Sequence, residues 1–188
     1  MVEAFPTNLR WASDHLEAAL SRCENLFGPR SAKWTIGPIL HAEDGPYIFF
    51  PYSNIDTVNV VVSTAALPFD DQLRYQIGHE ALHLLSPNKH PPTCMIEEGA
   101  AVYVSIYENN YRDIAYPYFA QNDLKTRALN YQEALQLYRE VEASSDLLLK
   151  SLRVLEPQFS LWTPEFITGN FSVPGQLAIR MCERRQMR

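Results

Sequence analysis

Residues 76–85 read QIGHEALHLL and place His79, Glu80 and His83 within five positions of an otherwise apolar run. In a helix, His79 and His83 stand at i and i+4, one turn apart on the same face, so both imidazoles can reach one metal ion. Glu80 follows the first histidine directly and can flank that ion without being bound to it. A carboxylate there can take the proton of a metal-acidified water, which is the mechanical content of an HExxH segment. The expected chemistry is hydrolysis, with Zn2+ as the metal. The competing explanation is a pair of packed core histidines. Ile77, Ala81, Leu82, Leu84 and Leu85 make this helix mostly buried, and His and Glu are costly to bury unpaired. A satisfied core histidine accounts for one such residue and strains to account for both plus Glu80.

A hydrolytic zinc site takes three protein ligands and leaves one position open. Downstream, His90, Cys94, Glu97 and Glu98 are within reach of such a role. Periodicity does not separate Glu97 from Glu98. For His90 and Cys94, a loop histidine and a helix-start cysteine are the simpler identities. A metzincin needs Gly three residues after the second histidine and His or Asp three beyond that, where this chain has Ser86 and Lys89. A deformylase has Asp just before the second histidine, where this chain has Leu82.

The segment MIEEGAAVYVS, residues 95–105, resembles the second-helix motif of gluzincins, zinc metallopeptidases whose third ligand is a Glu followed by Gly, small residues and an aromatic. The resemblance covers about residues 57–108, and small members, the minigluzincins, consist of little more than this core; residues 1–30 and 110–188 match nothing. It implies that His79, His83 and Glu98 hold the metal, that Glu80 is the general base, and that Glu97 is a solvated or supporting acid. It also implies an edge strand that holds extended substrate by β-addition, for which VNVVVST, residues 58–64, is the candidate. A further residue should stabilise the oxyanion. Tyr103, Tyr107, Tyr111, Tyr116, Tyr118 and Tyr131 are available, and segment 108–119 is the first place to look. The small residues Gly99, Ala100 and Ala101 are expected to let this helix approach the HExxH helix closely.

These side chains need elements to position them. Apolar spacing over residues 7–27 predicts a helix closed by Gly28-Pro29, with His15 at its surface or half-buried. Residues 33–63 are rich in β-branched and aromatic residues, and KWTIGPIL, YIFFPY and TVNVVVST read as three strands. Turn signals at 43–46 and at Ser53-Asn54 separate them, and Pro38 and Pro51 mark edges or bulges. His41 ends the first strand, with no ligand role expected. Helices follow at about 70–85, with Asp70 as N-cap, and at about 93–108. Most of the remainder is helical, ending in a helix over about 173–185 with Pro174 in its first turn. The expected fold class is α+β: a small mixed or antiparallel sheet of about three strands, packed on an HExxH helix and a Glu-bearing helix, with an N-terminal helix and a mostly helical C-terminal part.

The 188 residues suit a single domain, with a metallopeptidase-like core over about 33–108 and a helical extension over about 120–188. A net charge of −6 argues against a nucleic-acid partner. The chain shows neither a signal-peptide pattern nor an apolar run of membrane-spanning length. Cys23, Cys94 and Cys182 are far apart and read as free thiols of a cytoplasmic protein. The expected function is a zinc-dependent peptidase acting on a peptide or protein, with endopeptidase action favoured because no clear acidic motif for a substrate N-terminus is found. The alternative is a catalytically inactive zinc- or peptide-binding protein on the same scaffold.

Overall fold

The computed structural model describes residues 1–52, 56–89, 92–145 and 147–185. The Ser53-Asn54 turn and His90 lie outside the described residues. The fold is α+β, with eight α-helices and a small mixed sheet of five short strands among the described residues.

Strand β5, Thr57–Ser63, is the centre of the sheet. Val58, Val60, Val61 and Val62 are fully buried, which suits a β-branched run packed on both faces. Along one side β5 pairs in parallel with β2, Thr35–Ile36, and with β3, Leu40–Ala42. Gly37-Pro38 separates these two strands, since proline cannot donate to a ladder; KWTIGPIL is therefore two strands rather than one. On the other side β4, Tyr47–Phe49, pairs antiparallel, with Tyr47 opposite Val61 and Phe49 opposite Asn59. A two-residue strand that sequence reading did not anticipate, β1 at Glu3–Ala4, adds to β3.

Helix α1, Trp11–Phe27, buries Ala12, Leu16, Ala19, Leu20, Cys23 and Phe27 on one stripe. It ends at Gly28, whose φ of 90° suits glycine, and the Gly28 N–H caps the carbonyl of Glu24. His15 belongs to the buried stripe, at 6 % exposure, deeper than the surface or half-buried position expected. Its Nδ1 faces the Arg74 guanidinium at 3.2 Å. Helix α2, Asp70–His83, packs on α1, and every residue from Gln76 to His83 is buried. Asp70 is its first residue and not a side-chain cap. Asp70 instead pairs with Arg112, and Asp71 accepts the backbone N–H groups of Arg112 and Asp113, so this helix start anchors the 109–115 loop.

Helix α3, Met95–Tyr107, lies between α2 and α5, Leu129–Ser144. Gly99 is needed for the second contact rather than the first. A methyl group at Gly99 would collide with the backbone carbonyl of Ala134, on α5. Helices α4, Tyr116–Arg127, α6, Leu148–Leu155, α7, Pro164–Asn170, and α8, Gly175–Cys182, complete the chain. Leu137, Leu152, Phe159 and Met181 join the same core cluster as the sheet and α1. Arg153 of α6 is buried, and its guanidinium donates to the carbonyls of Phe27, Gly28, Pro29 and Leu85. One cation thereby ties together carbonyls at the ends of both α1 and α2. Among the described residues no helix is long and apolar enough to cross a membrane.

Candidate metal centre

The helical spacing of α2 brings His79 and His83 together, with Nε2 atoms 3.4 Å apart. The loop after α2 returns the chain so that the first turn of α3 lies against them. Glu98 projects from that turn: its Oε2 is 3.4 Å from His79 Nε2 and its Oε1 is 3.8 Å from His83 Nε2. One donor atom from each of the three residues lies within 4.8 Å of the others, and all three side chains are buried. Glu98 Oε1 accepts from the Thr93 hydroxyl, a contact with no signal in the sequence beyond its place two residues before the helix. Among the described residues, Glu98 Oε2 is buried without a hydrogen-bond donor of good geometry. Two imidazole nitrogens and an unsatisfied carboxylate oxygen converging in a buried site fit a divalent cation, and the donor types are those zinc takes.

Glu97 and Glu98 are adjacent and separate cleanly. Glu97 Oε1 lies 2.9 Å from His83 Nδ1, on the far side of the ring from Glu98. That contact orients the imidazole and directs its Nε2 toward the other two donors. Burial opposes ionisation of Glu98, but the imidazoles of His83 and His79 and the Thr93 hydroxyl outweigh it and hold the carboxyl down at about 2. For His83, burial pushes the imidazole down, while Glu98, Glu97 and Glu80 outweigh it and raise it to about 10. Without a metal, a proton on His83 balances the acids, and a bound cation would displace it.

Glu80 is buried beside this cluster, and burial raises its carboxyl above the ordinary range, against the pull of His79 and His83. Two cavities meet there. One, of about 700 Å³, runs along β4 and past His83, Thr93 and Glu98. The other, of about 650 Å³, lies toward α4. Pro46, His79, Glu80 and Tyr131 line both.

Comparison with protein-family models, curated proteins and solved structures found no match. The chemistry of the site therefore rests on its own geometry.

Among the six candidate tyrosines, Tyr131 is the one set against the cluster. Its ring meets His79 edge-on, with centroids 5.8 Å apart, and burial, then Glu98 and Glu80, push its phenol up. Tyr131 comes from α5, outside segment 108–119. Tyr111 donates to the Ser105 carbonyl, Tyr103 to Glu108, and Tyr107 accepts from Arg139. Tyr118 is exposed, and Tyr116 lines only the α4 side of the cleft. Cys94 is buried with its thiol on the Phe159 carbonyl, and burial drives that thiol well up. His41 pairs with the Thr64 hydroxyl at 3.0 Å. The edge-strand expectation is corrected: VNVVVST is central, paired on both sides, and the strand beside the cleft with a single partner among the described residues is β4.

Proposed function

We propose that this protein is a zinc-dependent peptidase of the gluzincin type, acting on peptides or proteins, with His79, His83 and Glu98 holding the metal. The observation that carries the reading is the convergence of those three donors around the unsatisfied Glu98 oxygen, with Glu80 beside them at the junction of an open cleft. A zinc ion held there would supply Lewis acidity, acidifying water and polarising a carbonyl. Glu80 then serves as general base and acid. Its raised affinity for a proton suits a carboxylate that takes one from water and gives it to the leaving amine. The Tyr131 hydroxyl donates to the oxyanion as it develops. Glu97 keeps His83 in its working orientation. The outer edge of β4 offers backbone groups to an extended substrate, which favours cutting within a chain. The free cysteines, two of them buried, suit a reducing compartment and a cytoplasmic location.

The test compares wild type with Glu80→Gln. Both should carry about one zinc per chain, and only wild type should cleave a mixed peptide library, with the variant down by at least roughly 10²–10⁴. Zinc in both proteins with cleavage by neither would make the chain a binding scaffold. Absence of zinc from wild type would remove the site.

A further inference from the structure

Resting on the peptidase reading, we infer that the α4 side of the cleft is a specificity subsite for a large apolar side chain, aromatic or long aliphatic, on a residue flanking the scissile bond. The position is fixed by continuity. This lobe shares His79, Glu80 and Tyr131 with the metal-facing lobe, so a chain whose carbonyl reaches the junction places a neighbouring side chain in it. At about 650 Å³ it falls within the roughly 300–1,000 Å³ typical of ligand clefts.

The walls decide what enters. A small second core cluster, Val102, Ile106, Leu124 and Leu135, lies beneath the lobe, and Tyr75, Ala120, Ala128 and Tyr131 pack on that cluster only in part. Those four residues also line the lobe. Phe119 lines it too and is left 59 % exposed. A soluble chain rarely leaves adjoining apolar surface uncovered without a ligand to cover it. The polar groups do not select a charged guest. Asp123 and Arg127 face each other at 3.4 Å and neutralise one another. The Gln76 carbonyl oxygen is held by the Ser63 N–H at 2.8 Å, and the Thr126 hydroxyl turns back onto its own helix. Glu80 is committed to the chemistry. Ala120 and Ala128 are the small residues in this wall, and their short side chains leave room for a guest.

Two measurements test the subsite, one of them independent of turnover. Zinc-loaded Glu80→Gln is titrated by calorimetry with N-acetyl-phenylalanine amide and N-acetyl-alanine amide; the phenylalanine compound should bind at least about tenfold tighter. Ala120→Trp and, as a second variant, Ala128→Trp fill the lobe in the same background and should erase that difference while retaining zinc. In parallel, wild type cleaves a mixed peptide library. Product ends should show Phe, Tyr, Trp, Leu or Met enriched about tenfold or more over Ala, Asp and Lys on one side of the cut, and the tryptophan variants should shift the preference to small residues. Equal binding of the two amides, or cleavage without a size preference, overturns the subsite and leaves the peptidase standing. Zinc-loaded wild type that cleaves nothing overturns the peptidase, and an aromatic preference in the titration then keeps the subsite as a binding pocket.

Discussion

The second half of α2 buries what proteins usually expose, and α4 exposes what they usually bury. From Gln76 to His83 every side chain of α2 is sequestered, including two histidines and a glutamate. Helix α4 buries only Leu124, while Tyr118 and Phe119 stand more than half exposed. Both helices break the ordinary pattern, in opposite directions and around one cleft. A buried polar cluster or an uncovered apolar patch is more informative than any residue in its usual place. On α2 the exception is a cost that a bound ion would repay. On α4 it is surface that a substrate would cover. On the proposed reading, the difference teaches that the chemistry would be built into the buried core, whereas selectivity would be placed on a thinly anchored wall.

The largest expected effect strikes the α2 side. Glu98→Ala removes a donor outright and should leave the purified protein almost free of zinc, read by metal analysis, with cleavage lost. Glu97→Gln keeps all three donors and loosens only the grip on His83. Zinc affinity should fall about 10–100-fold, read by competition with a chelator. Equal losses from the two changes would show that the neighbouring acids share one role. Tyr131→Phe leaves zinc in place and should lower kcat about 10²–10³-fold with little change in KM. A change in KM alone would assign Tyr131 to the walls of the cleft.

These residues were unequally legible in the sequence. The i, i+4 histidines need only local helical geometry, so His79, His83 and Glu80 could be read directly. Glu97 and Glu98 are adjacent, and which one faces α2 depends on the rotation of α3 against its neighbours, which no periodicity encodes. The resemblance favoured Glu98, and Glu98 is the residue that meets both Nε2 atoms. The edge strand went to the wrong segment although a signal was present. Residues 58–62 contain four valines, a nearly unbroken β-branched run that marks a strand covered on both faces. Gly99 and Tyr131 depend on α5 docking against α3, a contact between segments about 35 residues apart, and nothing local announces it.

The comparison also makes a prediction about acid. His15 and Arg74 lie on the faces where α1 and α2 meet. Burial, then the charges of Arg74 and Arg22, push the His15 imidazole down from 6.5 to about 4. The folded state therefore binds this proton less readily than the unfolded chain. The stability His15 contributes is complete above pH 6.5 and is lost as pH falls through about 4. Between those values metal-free wild type should lose urea resistance more steeply than metal-free His15→Gln, by up to one proton of linkage. Parallel slopes would mean that His15 is protonated in the fold at little cost.

The smallest expected effect belongs to the α4 side. Phe119 is 59 % exposed, so Phe119→Ser leaves no enclosed cavity and strands no polar group. Its unfolding free energy should stay within about 0.5 kcal/mol of wild type, with zinc content unchanged. The same substitution removes apolar wall from the α4 lobe, so binding of an aromatic amide should weaken severalfold. A residue that matters to ligand and not to stability is what an uncovered wall predicts. If Phe119→Ser instead destabilised the fold by 2 kcal/mol or more, α4 would be packed more closely than its exposure indicates. The contrast between a buried chemical helix and an open selective one would then fail at its weaker side.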